Sequence, residues 1–143
     1  MATVAELLEQ KGRALYKIDG AESVLDAVRA MVEANVGSLL VTEEGVITGI
    51  VTERDYLRRV TLENRDERTT PVREIMSSPL VAVAPETTLE ECMALMTERR
   101  IRHLPVAEHG QVDAVVSIGD LVKFASQQQS FELRYLHDYI NAH

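Results

Sequence analysis

Apolar residues recur along this chain in two alternating rhythms. Val24, Ala27, Val28 and Met31 stand at i, i+3, i+4 and i+7, and Leu89, Cys92, Met93 and Met96 repeat that spacing, so each set predicts a helix that buries one stripe. Between them the rhythm shortens to that of strands. Ser38–Thr42, a turn at Glu44-Gly45 and Val46–Val51 predict a β-hairpin, and His103–Val106, a turn at His109-Gly110 and Val112–Val116 predict a second. A short helix is expected over Thr3–Gln10, stopped by Gly12, with Val72–Met76 as its counterpart before Ser77-Ser78-Pro79. Short strands follow each, at Leu15–Ile18 and Leu80–Val83. Helices are expected again from Asp55, with Tyr56, Leu57 and Val60 apolar, and from Asp120, with Leu121, Val122 and Phe124.

The pattern is thus stated twice, at an offset of about 65 residues. Met31 matches Met96, Glu33 matches Glu98, Leu39 matches Leu104, Val51 matches Val116 and Asp55 matches Asp120. The unit is helix, strand, helix, strand, strand, helix, which gives an α+β chain of α/β-type repeats. The expected divisions are residues 1–62 for the first repeat, 63–71 for a charged linker ending at Pro71, 72–127 for the second repeat and 128–143 for a C-terminal amphipathic helix with Leu133, Leu136 and Ile140 on one face. One unit has too few elements to cover its own sheet. The two copies are therefore expected to pack about a pseudo-two-fold axis.

The most telling stretch is Gly49–Asp55, where an apolar run stops at Thr52 and an aspartate follows three positions later. Ala114–Asp120 repeats it with Ser117. A hydroxyl residue followed at i+3 by an acid is the spacing of a helix N-terminal capping box. The same arrangement offers outward backbone amides to phosphate and a carboxylate to ribose hydroxyls. Both readings stand at this level.

Composition narrows the function. With 143 residues, 45% of them hydrophobic, the chain can build a core, and no apolar run approaches the roughly 18 residues of a membrane span. The N-terminal residues lack the order of a signal peptide, so a cytoplasmic location and no membrane partner are expected. A net charge of −8 repels nucleic acid, and no aromatic-basic interleaving offers a stacking platform. Cys92, the single cysteine, falls in the apolar stripe and reads as a small core residue, against a nucleophile activated by His103. No nucleophile-base pair, metal-spaced set or glycine-rich phosphate loop is present, so neither a catalytic residue, a metal ligand nor a catalytic cofactor is expected.

With Val72–Met76, Arg102-His103-Leu104-Pro105-Val106 and the doubled Gly/Ala-x-x-Thr/Ser-x-x-Asp ends in view, the chain resembles a tandem pair of cystathionine-β-synthase-type domains, the CBS pair or Bateman module, of the small stand-alone bacterial type. The resemblance implies a non-catalytic regulatory sensor that takes an adenosine-containing nucleotide in the cleft between repeats. AMP and NAD are the implied ligands, with ADP and ATP as further candidates, and two modules are implied to form a disc-like homodimer acting on an unknown downstream protein. Carried over, Asp55 and Asp120 would hold ribose hydroxyls, and Thr52 and Ser117 would serve phosphate or ribose. Backbone at Lys17-Ile18 and Val83-Ala84 would edge the adenine, while Arg54, Arg102 and His103 would face phosphate. The basic cluster is one-sided, because Asn35, Gly37 and Ser38 stand where the second copy has Arg100, Arg102 and His103. Unequal sites are expected, and Ala114 in place of Gly49 narrows the approach to the second strand. The alternative is a ligand-free structural protein that keeps the same dimeric fold.

Overall fold

The computed structural model describes residues 1–127 and 130–142, with side chains described outside 130–135. Along the chain run α1 (Val4–Lys11), β1 (Lys17–Asp19), α2 (Val24–Ala34), β2 (Ser38–Glu43), β3 (Val46–Thr52), α3 (Glu53–Tyr56), a π-helical turn (Leu57–Thr61), a 3₁₀ turn (Val72–Glu74), α4 (Leu89–Arg99), β4 (His103–Glu108), β5 (Gln111–Ser117), α5 (Ile118–Ser126) and α6 (Ser130–Ala142). They form two compact units, and neither coincides with residues 1–62 or 72–127. One is Leu15–Val81; the other joins Met1–Ala14 to Ala82–His143.

Backbone hydrogen bonds show why α1 belongs with the later residues. Val4 N–H donates to the Thr87 carbonyl and Ala5 N–H to that of Pro85, both at 2.8 Å, while Leu89 N–H returns to Ala2 at 3.1 Å. In the Leu15–Val81 unit the same three bonds recur: Val72 N–H to Glu22 at 2.8 Å, Arg73 N–H to Gly20 at 3.0 Å and Val24 N–H to Thr70 at 2.9 Å. Each opening segment is thus bonded to the strand-helix turn of the unit it joins. The expected linker is part of this scheme, since Glu67 and Thr70 accept the first amides of α2 and Tyr56 Oη donates to Glu67 at 2.6 Å.

In the Leu15–Val81 unit β1 pairs parallel with β2, and β2 antiparallel with β3. Its core joins Ile18, Val24, Ala27, Met31, Leu39, Val41, Val51, Val60, Val72 and Ile75. In the other unit β4 and β5 form a two-stranded sheet, and Leu7, Leu89, Cys92, Met96, Leu104, Val116 and Leu121 are buried. Both hairpins turn through two residues at positive φ, 52° and 81° at Glu44 and Gly45, 53° and 76° at His109 and Gly110, as a type I′ turn demands. The helical stripes are buried as the spacing predicts, except that Val28 is half-buried. Helix α6 lies against α5 of its own chain, with Leu136 buried and Ile140 half-buried; the side chain of Leu133 falls outside the described residues.

Three expectations require correction. Val72–Met76 forms only a 3₁₀ turn over Val72–Glu74, so α1 exceeds its counterpart. Leu57, placed among apolar helix positions, is 56% exposed at the start of the π turn, while Val60 is buried. Leu80–Val83 is not a strand, for only Val83 bridges, with its N–H on Pro105 at 2.9 Å and its carbonyl taking Ala107 N–H at 2.8 Å. Extending that parallel ladder would need an N–H from Pro105 towards residue 81, or one from Pro85 towards residue 107. Proline has neither. In the other unit Leu40 stands where Pro105 does, and its N–H reaches the Tyr16 carbonyl at 2.9 Å, so β1 forms.

Gly49 is explained by its own chain. A Cβ there would come within 2.6 Å of Met76 Sδ and 2.8 Å of the Ser77 carbonyl oxygen, because Ser77 bridges to Ile50 on β3. Gly49→Ala should therefore cost about 1–3 kcal/mol through overpacking. Urea unfolding reads this, and an unchanged midpoint would mean that the 76–77 segment does not rest on β3.

Candidate functional site

Each hairpin delivers its hydroxyl residue to the start of a helix, and both predicted boxes form. Thr52 is the N-cap of α3: its N–H donates to Asp55 Oδ2 at 2.9 Å, its hydroxyl to the same oxygen at 3.1 Å, and Asp55 N–H returns to Thr52 Oγ1 at 3.3 Å. Ser77 Oγ donates to the other carboxylate oxygen, Oδ1, at 3.3 Å. Asp55 is buried, and Thr52 and Ser77 between them donate to both of its carboxylate oxygens. The box is a closed one.

The Ser117-Asp120 box differs in what reaches it. Ser117 N–H donates to Asp120 Oδ2 at 2.8 Å and Asp120 N–H to Ser117 Oγ at 3.1 Å. The third partner is a cation, since Lys11 Nζ lies 2.7 Å from Asp120 Oδ2 and also donates to the Val115 carbonyl. Sequence reasoning missed Lys11. It ends α1, 109 positions from Asp120, and only the joining of α1 to the later residues brings them together. Its one sequence signal was a lysine in the last turn before Gly12, which reads as ordinary compensation of the helix dipole. Arg13, two positions on, pairs with Asp113 at 3.0 Å.

His103 opens β4 opposite Ser117 in the register and is half-buried. Burial lowers its pKa below the usual 6.5; Asp120 pulls the other way, while Lys11 and Arg102 reinforce the lowering. Those four groups, Lys11, Arg102, His103 and Asp120, therefore gather in one unit. Arg102 is exposed, and its carbonyl accepts the Ile118 N–H at 3.0 Å. Arg54 is exposed in the Leu15–Val81 unit, one position before Asp55.

The positions expected to edge an adenine lie along the first strand of each repeat. Ile18 is inside the ladder, and by alternation the amide and carbonyl of Lys17 point away from β2. Val83 has both backbone groups engaged with β4, and the Ala84 amide is taken by Thr87 Oγ1 at 3.0 Å. The Ala84 carbonyl in turn accepts the Thr87 N–H at 3.1 Å, so the backbone hydrogen-bonding groups of this pair are already engaged. Ala114, at the matching place in β5, is buried, whereas Gly49 leaves room for Met76 and Ser77.

Among the described residues no group of three or more His, Cys, Asp or Glu side chains could hold a metal, and no helix is long and apolar enough to cross a membrane. Cys92 is fully buried, and burial, with Glu91 adding to it, pushes its thiol up to about 11. That is the reverse of nucleophile activation.

Residues 3–62 and 72–127 each match the CBS domain, and the chain belongs to the CBS-domain family as a tandem pair. Such pairs are in general regulatory, ligand-binding modules and usually non-catalytic. The chain is 37% identical to the mitochondrial CBS domain-containing protein CBSX3 of Arabidopsis thaliana over 96% of its own length and 71% of the relative's. It is 38% identical to the CBS domain-containing protein YhcV of Bacillus subtilis over 70% and 71%. Among solved structures, a CBS-domain protein from Burkholderia ambifaria MC40-6 matches with a TM-score of 0.84 and 45% identity, over 90% of this chain and 97% of that one. A hexameric CBS-CP12 protein from bloom-forming cyanobacteria matches with a TM-score of 0.76 and 28% identity, over 99% and 82%.

Two outcomes follow from these environments. With His103 held below 6.5, the unfolded chain takes up that proton first, so its contribution to stability is full above about pH 6.5 and fades as the pH falls through the lower folded value. The fall in melting temperature between about pH 7.5 and about pH 5.5 should therefore shrink in His103→Gln, and an equal fall in both proteins would refute it. Cys92 should resist a disulfide reagent near pH 8 in the native protein and react once unfolded; prompt native labelling would contradict its burial.

Proposed function

We propose that this chain is a non-catalytic regulatory sensor that binds an adenosine-containing nucleotide, AMP or NAD, with ADP and ATP as weaker candidates, at the Asp120 end of the second repeat. The observation that carries the reading is the Asp120 carboxylate itself. It is held in place by the Ser117 amide at the start of a nine-residue helix, stays partly open to solvent, and has Lys11 on it and Arg102 close to the neighbouring His103, in a chain whose net charge is −8. A carboxylate in that position accepts from ribose hydroxyls, and the cations offset the general repulsion of an anion. Asp55 is a poorer candidate, since Thr52 and Ser77 already occupy both of its oxygens. Differential affinity for two arrangements of a homodimer would pass the signal to a downstream protein.

One observation favours a ligand-free structural role instead. Both aspartates complete the boxes of their own helices, so both have a sufficient reason to be present without any ligand. Isothermal titration with AMP and NAD separates the two readings. Saturable heat is expected, with a stabilisation of about 2.7 kcal/mol at a hundredfold excess over Kd, and Asp120→Asn, which can still cap, should weaken binding more than Asp55→Asn. Absence of heat and of any melting shift at millimolar ligand would leave the structural reading standing.

A further inference from the structure

The two boxes differ in one respect that the duplicated pattern does not explain. Asp55 is finished by a neutral hydroxyl, Ser77 Oγ, while the segment carrying it lies over Gly49. Asp120 is finished by an ammonium. The cause is the length of α1, eight residues against a three-residue 3₁₀ turn in its counterpart, whose added length carries Lys11 to the carboxylate. Two of the three ammonium protons are engaged, one on Asp120 Oδ2 and one on the Val115 carbonyl. The Lys11 side chain keeps 35% of its surface exposed and that of Asp120 22%, so the pair is held at a solvent-facing edge. An ammonium on a flexible four-carbon stem can leave a carbonyl for a phosphate oxygen without any backbone movement.

We propose that Lys11 is the specificity-determining residue of the Asp120 site, favouring a nucleoside that carries a 5′-phosphate over the uncharged nucleoside. The inference rests on the reading above that this site takes an adenosine-containing ligand. When ribose hydroxyls engage the carboxylate, Lys11 exchanges Val115 for the phosphate while remaining beside Asp120. The uncharged nucleoside offers the ammonium no anionic oxygen, only neutral acceptors, and must compete with it for the carboxylate. Lys11 therefore raises affinity for one ligand and lowers it for the other, which a merely structural lysine does not do.

The test is titration of the full chain with AMP and with adenosine, in the wild type, Lys11→Met and Lys11→Arg, at low and at moderate salt. Loss of a charge-assisted hydrogen bond predicts AMP binding weakened about tenfold or more in Lys11→Met. Adenosine binding should hold or tighten, the salt dependence of AMP affinity should flatten, and Lys11→Arg should keep most of the preference. Equal losses for both ligands, or unaltered AMP affinity in Lys11→Met, would overturn the role of Lys11 while leaving nucleotide binding intact. Binding of neither ligand to the wild type would overturn both readings.

Discussion

A helix begins with amides that nothing inside it can satisfy, and the way this chain satisfies them fixes most of its structure. Side-chain boxes take some of the load: Thr3 with Glu6, Thr52 with Asp55, Thr88 with Glu91 and Ser117 with Asp120. Backbone carbonyls take the rest. Pro85 and Thr87 serve α1, Glu67 and Thr70 serve α2, Ala2 serves α4, and Gly37 and Arg102 serve the first residues of α3 and α5. Because those carbonyls come from segments remote in sequence, each bond that completes a helix also assigns a segment to a unit.

The duplicated units diverge where single residues change what the backbone can donate. Pro105 and Pro85 leave Val83 with a lone bridge where Lys17–Asp19 is a strand. Gly49 admits Met76 and Ser77 over β3, and the buried Ala114 stands at the matching place in β5. A bulge interrupts both hairpins at matching places, between Val41 and Thr42 and between Val106 and Ala107, so the strand geometry around the boxes is shared even where the cover is not. The inequality of the sites thus comes less from the carboxylates than from the segments that reach them.

The site and the scaffold draw on the same atoms. At the proposed Asp120 site, a ligand that engaged the carboxylate would have to leave the Ser117 amide satisfied or supply an equivalent, which would tie occupancy to the stability of α5. In a family of regulatory pairs this would be a physical route for coupling ligand to fold. A carboxylate that stabilises a helix end would, if it also met the proposed ligand, make helix integrity part of the response.

Much of this was legible in the residues alone. The 3.6-residue stripes, the hairpin turns and the capping boxes rest on interactions within a few positions of sequence, and their recurrence at an offset of about 65 residues shows the repeat. Tertiary structure alone decided that α1 joins residues 82–143 and that Ser77 closes Asp55 while Lys11 attends Asp120. It also decided that Val83 bridges without a strand. Those outcomes depend on which carbonyl lies opposite which amide once remote segments meet, a relation that hydrophobic periodicity does not encode.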